Sequence, residues 1–445
     1  MKVLGNSTIL NTDTLNLFDV NEAACRAVEL VSSGYSRDDV CSTLGCTLQE
    51  LDELLSKLSE PRSYFPRESQ LHDRKRLVLM VSRDCNMRCR YCYAGHGIYG
   101  TELPSMTPES AVAIARACVE KIGGPDFYMF FGGEPTMNIA AIGRVFDALG
   151  GDNAPQLFGI VTNGTFSRKE IQHLLETHKM TLTFSIDGPQ DIHDFLRPYS
   201  DGRGSFNTAL DNLRWAQQFT RVGVEATFTP DHIKRGYSLV DLIEFFHSIG
   251  IDGPHIVPVA PKNGYRGFEP DILIREYRQA IDYCLQSFVE GRPHWYTLLV
   301  NILGAFADGR KREYLCPAGV STLCVDSNGD LYPCFMFVGA AEFLLGNIFH
   351  LDKSDFEKRR DTFIRAARKS NRSNCSSCWA SNICGGCMGS AFWATGCLTD
   401  NDPAWCELQR QTIAYAAQRL AKLHSDQAAW QCFVDTLTKA TNDVE

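Results

Sequence analysis

Residues 77–97 read LVLMVSRDCNMRCRYCYAGHG. Leu77 to Ser82 is a compact apolar run with two valines and charged neighbours on both sides, the pattern of a short, fully buried strand. Cys85, Cys89 and Cys92 then fall at a C-x-x-x-C-x-x-C spacing on the loop just past the strand end. Thiolate sulfur is a soft ligand suited to iron-sulfur clusters or zinc, and a four-iron cube takes four ligands. Three close thiols leave one iron open, and an open coordination position separates a catalytic metal site from a structural one. The competing reading of the triple alone is a set of core cysteines or half of a zinc site.

Downstream, strands alternate with helices to about Pro261. Thr107-Pro108 predicts a helix start, with Ala111, Ile114, Ala115 and Cys118 at helical spacing and Gly123-Gly124 as the stop. Strands are expected at Phe127 to Phe131, Leu157 to Val161, Met180 to Ile186, Val222 to Phe228 and Ile251 to Val259. Such alternation implies a parallel sheet whose functional loops lie at the C-terminal strand ends. At one such end stand Gly132, Gly133, Glu134 and Pro135, where the glycines permit close backbone approach to a ligand and the carboxylate can accept from an ammonium. Thr162-Asn163-Gly164-Thr165 and Ser185-Ile186-Asp187-Gly188 end the next two strands, with short polar side chains suited to ribose hydroxyls or a ligand carboxylate; ordinary Asn-Gly and Asp-Gly turns are the alternative. His193, Asp194 and Arg197 follow in HDFLRP, and His193 reads as structural.

The cysteine triple, with Tyr91 before its last member and GGEP after the second strand, resembles the signature of the radical S-adenosylmethionine enzymes. The resemblance implies an α/β fold, a partial (β/α)6 barrel over 77–265. It also implies that the open iron held by Cys85, Cys89 and Cys92 chelates the methionine end of S-adenosylmethionine, whose reductive cleavage yields a 5'-deoxyadenosyl radical. Tyr91, Gly132, Gly133, Glu134, Asn163, Ser185 and Asp187 are the residues it nominates for binding that cofactor.

Phe268 to Glu290 predicts one long helix, with Ile274, Tyr277, Ile281, Leu285 and Phe288 as its apolar stripe, inside a helical bridge over 266–312. Cysteines then resume. CPAGVSTLCVDSNGDLYPC contains the hairpin dipeptide Asn328-Gly329, a geometry that brings Cys316 and Cys334 toward one site. CSSCWASNICGGC supplies four thiols in thirteen residues, and Cys406 follows after a gap; CxxC pairs are shared with zinc ribbons. The segment 313–410 resembles the SPASM extension of radical enzymes that act on peptides and proteins, which implies two auxiliary 4Fe-4S clusters besides the first. By that resemblance Cys375, Cys378, Cys384 and Cys406 hold one, and Cys316, Cys334 and Cys387 the other. The latter's fourth ligand is either Cys324 or none, if Cys324 is an inward residue of the hairpin strand. Cys25, Cys41, Cys46, Cys118, Cys284 and Cys432 read as core positions on helical faces, and 411–445 as a helical tail.

Residues 1–62 form an expected small separate module, with a hairpin turning at Asn11 to Asp13 and helices begun by Asn21, Ser36 and the box Thr47/Glu50. Its element order resembles the winged-helix precursor-recognition modules of peptide-modifying enzymes, in which a leader peptide adds a strand to a sheet edge. Residues 63–76, within a stretch from Glu60 to Arg76 that has two prolines and mixed charges, read as a linker ahead of the first barrel strand. The formal charge of −9 and pI near 5.7 argue against a general nucleic-acid binder. No run of about eighteen apolar residues and no signal peptide is seen, so no membrane association and a cytoplasmic location are expected. The 18 cysteines at ligand-like spacings fit metal binding in a reducing compartment.

Together the resemblances imply a maturase of a ribosomally made precursor peptide, forming cysteine thioethers as the cysteine-rich peptide maturases do, with a ferredoxin- or flavodoxin-type electron donor. A formylglycine-generating sulfatase maturase and a carbon-carbon crosslinking cyclase are the alternatives. The sulfatase maturases commonly carry an acidic base directly after the hairpin cysteine, whereas Phe335 follows Cys334 here. A zinc-bound leader-binding protein without catalysis is the alternative from another class.

Overall fold

The computed structural model describes residues 1–60, 75–100, 103–149, 157–178, 180–260, 265, 267–309 and 311–442. Most of the expected linker, 63–76, lies outside the described residues. A three-stranded antiparallel sheet comes first, with β1 at Lys2–Leu4, β2 at Thr8–Leu10 and β3 at Leu17–Asp19. Among the described residues the second sheet has nine strands. Its parallel strands β4 (Arg76–Ser82), β5 (Phe127–Gly132), β6 (Leu157–Thr162), β7 (Met180–Ser185), β8 (Val222–Phe228) and β9 (His255–Pro258) pair in sequential order, as a partial (β/α)6 barrel requires. The last strand is shorter than expected: Gly253 takes a left-handed φ of +70° and Pro254 follows, so 251–254 cannot extend it.

A hairpin of β10 (Thr322–Val325) and β11 (Asp330–Tyr332) lies on the other edge of the barrel sheet, with β12 (Gly346–Asn347) beyond it. β10 pairs parallel with β4, Cys324 opposite Val78. The hairpin turns at Asn328-Gly329 as read, with Asp326 accepting from the Asn328 and Asp330 amides at 2.9 and 3.0 Å.

Strand alternation sorts the side chains into two compartments. Outward-facing Leu77, Leu79, Tyr128, Phe130, Ile160, Leu182, Phe184, Val224, Ala226 and Phe228 pack under the surrounding helices in the main core. Inward-facing Val78, Met80 and Cys324, with Met129 and Phe131, join a second apolar cluster with Tyr99, Tyr332, Met336 and Phe337. Across the barrel the inward positions are Thr183, Ser185, Glu225, Thr227 and His255, alternating with those main-core residues. One wall of the interior is therefore aromatic and apolar, the other polar.

The amino-terminal caps form as expected: Asn21 accepts from Ala24, Ser36 from Asp39, and Thr47 with Glu50 makes a reciprocal capping box. The module is not separate, however. Its sheet packs Ile9 and Phe18 against its own helices, while Leu4, Leu10 and Leu15 belong to the main core. Asn382 donates to the Thr12 carbonyl at 2.9 Å, and Ser425 donates to Asp19 at 2.5 Å. The long bridge helix is Pro270–Val289. The expected boundary at 410/411 falls inside a continuous helix, Pro403–Ser425, which carries Cys406 near its start; a second helix, Gln427–Asn442, follows. Cys25, Cys118 and Cys284 are buried, but Cys41 and Cys46 are half-exposed, Cys46 lies past its helix end, and Cys432 is exposed, so these three are not core. No helix among the described residues is long and apolar enough to cross a membrane.

Candidate active site and cluster sites

Cys85, Cys89 and Cys92 leave the end of β4 on a loop fastened from two sides. Arg88 and Arg90 donate backbone N–H groups to the Pro198 and Leu196 carbonyls, both at 2.9 Å, and the Arg90 guanidinium stacks 4.1 Å over Phe195. HDFLRP is thus the bed of the cysteine loop. On the other side, a Cβ on Gly132 would stand 2.0 Å from the Ser82 carbonyl oxygen, and one on Gly133 would stand 2.3 Å from that of Asp84. The close approach these glycines permit is to the cysteine loop itself, which locks the end of β5 against it. The turn beyond Cys92 brings the His96 amide to 3.3 Å from its sulfur, with His96 at a left-handed φ of 61°.

The three thiols share one electrostatic neighbourhood. Burial pushes Cys89 up to about 12, against the pull of Arg197, and burial also raises Cys85. A soft metal centre that replaces the thiol protons relieves this cost. Tyr91 donates to Asp187 at 2.5 Å and accepts from Arg197 at 2.5 Å, while Asp187 also receives the Thr227 amide at 3.0 Å. Burial works against the Arg197 charge, but Cys89, Tyr91 and Asp187 outweigh it and hold its pKa well above the usual value. Among the described residues, buried Arg197 Nε has no hydrogen-bond partner, a donor available to an anionic ligand group such as an amino-acid carboxylate.

Glu134 is 2% exposed, and both its oxygens are occupied within the protein. It accepts from the Thr136 amide and hydroxyl at 3.0 and 2.6 Å, the Thr162 hydroxyl at 2.7 Å and the Asn163 amide at 2.6 Å. Its carboxylate joins the ends of β5 and β6. Asn163 in turn donates to Asn86 at 2.9 Å, which ties β6 to the residue after Cys85. Ser185 stands on the inner face of β7 beside Glu225 of β8. His193 is fully buried, bridging the Asp187 amide and the Ser205 hydroxyl. Arg197, Asn86 and His232, which holds the Asp187 carbonyl at 2.8 Å, were not nominated from sequence; only the position of Arg197 within HDFLRP pointed to one of them.

The carboxy-terminal thiols form two groups. Cys316, Cys334 and Cys387 are mutual electrostatic neighbours, with burial raising Cys316 to about 12 and Cys334 further. Cys324 is fully buried on β10, near Cys334. Cys375, Cys378, Cys384 and Cys406 line one small pocket with Lys369, Asn401 and Arg410. Asn401 donates to Cys375 Sγ at 3.1 Å. Four thiols around one pocket, with a side-chain donor already on one sulfur, fit an iron-sulfur cube. Tyr93, next to Cys92, lies 6.4 Å from the Phe335 ring, and Phe335 stacks 4.6 Å on Phe131, so an aromatic wall separates the first triple from the hairpin thiols.

Residues 79–232 match the family model of the Radical SAM superfamily. The chain is 23% identical over 363 residues to Radical SAM cyclopropyl synthase TigE of Paramaledivibacter caminithermalis, covering 78% of this chain and 74% of TigE. It is 24% identical over 294 residues to the cysteine-type anaerobic sulfatase-maturating enzyme of Clostridium novyi, covering 61% of this chain and 76% of that enzyme. Among solved structures, anSMEcpe with bound AdoMet superposes with a TM-score of 0.68 at 18% identity, over 79% of this chain and 99% of that one. Streptococcus suis SuiB bound to precursor peptide SuiA superposes with a TM-score of 0.55 at 16% identity, over 91% and 99%. Both are likenesses of fold.

Proposed function

We infer that this chain, whose core is that of the radical SAM superfamily, is a peptide maturase that joins a cysteine sulfur to carbon within a ribosomally made precursor. S-adenosylmethionine and a 4Fe-4S cluster supply the 5'-deoxyadenosyl radical when bound. Cys85, Cys89 and Cys92 would hold that cluster, and Arg197, Ser185, Asn163 and the Gly132–Glu134 backbone would orient the cofactor. Thioether closure breaks one C–H and one S–H bond and forms one C–S bond. The hydrogen atom passes to the radical, the proton to a base, and one electron to an acceptor. The observation that carries this reading is the presence of two further thiol groups beyond the first triple, which would hold auxiliary clusters able to take that electron or to hold the substrate thiol.

The chamber chemistry supports it. Where sulfatase maturases commonly carry an acidic base, Phe335 instead stacks on Phe131. Glu225, half-buried on the polar inner wall and within electrostatic reach of Tyr93, would be the carboxylate that receives the thiol proton. The amino-terminal module, with three short strands and three helices, would bind a leader segment at a strand edge, in keeping with the coverage of SuiB, which extends to 91% of this chain. A ferredoxin- or flavodoxin-type protein would deliver the first electron.

The test is mass spectrometry of a cysteine-containing peptide encoded beside this protein, after anaerobic turnover, reduction and alkylation. A thioether product is lighter by two hydrogens per crosslink, and its linked cysteines resist both treatments. Cysteines that all remain alkylatable would overturn the reading in favour of a carbon-carbon crosslink, and loss of sulfur would overturn it in favour of formylglycine.

A further inference from the structure

The pocket lined by Cys375, Cys378, Cys384 and Cys406 has three buried polar side chains on its wall, Lys369, Asn401 and Gln409. Two of them are engaged. Lys369 donates to the Ser381 and Cys384 carbonyls, both at 2.5 Å, and Asn401 donates to Cys375 Sγ at 3.1 Å. Gln409 differs. It is 3% exposed, and among the described residues its Nε2 is buried without an acceptor. Buried amide N–H groups are nearly always hydrogen-bonded, so an orphan on the wall of a pocket calls for an acceptor that the polypeptide does not supply.

The helix accounts for the position of that amide. Gln409 lies in Pro403–Ser425 one turn beyond Cys406, and the i, i+3 spacing sets the two side chains on the same face. Its backbone groups belong to the helix interior, which leaves the side chain to serve a ligand. Charges of both signs stand around the pocket: Lys369 and Arg410 oppose Asp400 and Asp402, and Glu407 pairs with Arg410 at 2.7 Å. Gln409 carries no charge and acts only through the hydrogen bonds it can give. An iron-sulfur cube presents sulfide and thiolate sulfur as acceptors, and hydrogen bonds to those sulfurs help to set its potential. Reduction adds a negative charge to the cube, so a donor holds the reduced form more tightly than the oxidised one and raises the potential.

We propose that Gln409 donates from Nε2 to a sulfur of the cluster held by Cys375, Cys378, Cys384 and Cys406, and thereby raises that cluster's potential. Gln409 is a tuning residue and not a ligand, so the cluster assembles without it. This rests on the auxiliary-cluster part of the proposed function, not on the product, and its test uses no substrate. Iron and sulfide content check that part, and the potentials check Gln409.

The experiment is an EPR-monitored potentiometric titration of the full chain carrying Cys85, Cys89 and Cys92 all changed to Ala, with iron quantified alongside. Two couples are expected, and Cys406→Ala, which removes one ligand, identifies the pocket couple as the one that shifts or is lost. Gln409→Met, which keeps the side-chain length without an N–H, should retain the iron and leave the other couple in place. It should lower the pocket couple by about tenfold in reduced-to-oxidised ratio at fixed potential, about 59 mV for one electron. Gln409→Asn, which keeps an amide but withdraws it by one methylene, should shift the same couple in the same direction. Thr412→Val is the control: the Thr412 hydroxyl is also buried without a partner among the described residues, one turn further along, but it does not line the pocket, and the variant should move neither couple. If Gln409→Met loses iron, Gln409→Asn decides. The proposal is overturned if the deciding variant keeps its iron and leaves the pocket couple unchanged, as an amide bound only to buried water would. It is overturned equally if that variant moves the other couple, if it too loses iron, or if Thr412→Val shifts the pocket couple as far.

Discussion

At the level of single residues, the cysteine loop depends on the absence of two side chains as much as on three thiols. Gly133→Ala would set a methyl 2.3 Å from the Asp84 oxygen, and backbone cannot yield as a flexible side chain can. We expect the variant to fold but to hold roughly a third less iron, because only the first cluster's loop is displaced. Iron analysis of anaerobically prepared protein checks this, and full iron content would contradict it. Glu225→Gln should slow crosslinking by about 10²-fold or more while cofactor cleavage continues, since general-base assistance is typically worth that much. Equal loss of both activities would point instead to a structural role. Spacing made the thiols legible in the sequence, and GGEP its own importance, yet the partners were not. Glu134 binds protein hydroxyls and amides, and Gly133 makes room for Asp84, because what a residue meets across the fold leaves no mark on its neighbours in sequence.

At the level of elements, local chemistry was the most legible part. The Thr47/Glu50 box forms as written, and Thr47→Ala should cost about 1 kcal/mol of stability in denaturant unfolding, with no change in cluster content. The β8–β9 region shows the opposite: apolar letters at 251–259 suggested a long strand, and Gly253-Pro254 shortened it. The parallel pairing of β10 with β4 joins residues about 245 apart, which no periodicity reports. The loops after β7 and β8 are held by His193 and His232, and burial keeps both below the ordinary histidine value of 6.5. In the unfolded chain each takes up a proton near 6.5, whereas in the folded chain it does not until lower pH. Their contribution is therefore complete above 6.5 and lost as pH falls below it, by up to about 1.4 kcal/mol per pH unit for each. Denaturation midpoints measured from pH 7.5 down to 5.5 should fall accordingly, less so for His193→Asn; a flat profile would contradict this.

At the level of the molecule, one sheet carries the barrel and the auxiliary hairpin together, and one helix, Pro403–Ser425, both supplies Cys406 and packs beneath the amino-terminal sheet. The parallel sheet was legible from the alternation of strands and helices; the packing of the amino-terminal strands into the main core was not, since Leu4, Leu10 and Leu15 read as part of a small module's own core. The account stands on three thiol sets that do not share irons. Changing Cys85, Cys89 and Cys92 together to Ala, and measuring iron, acid-labile sulfide and 5'-deoxyadenosine under reducing conditions, tests it most directly. The account predicts roughly two clusters' worth of iron and sulfide retained and no 5'-deoxyadenosine. Continued production of 5'-deoxyadenosine, or loss of all iron, would contradict it.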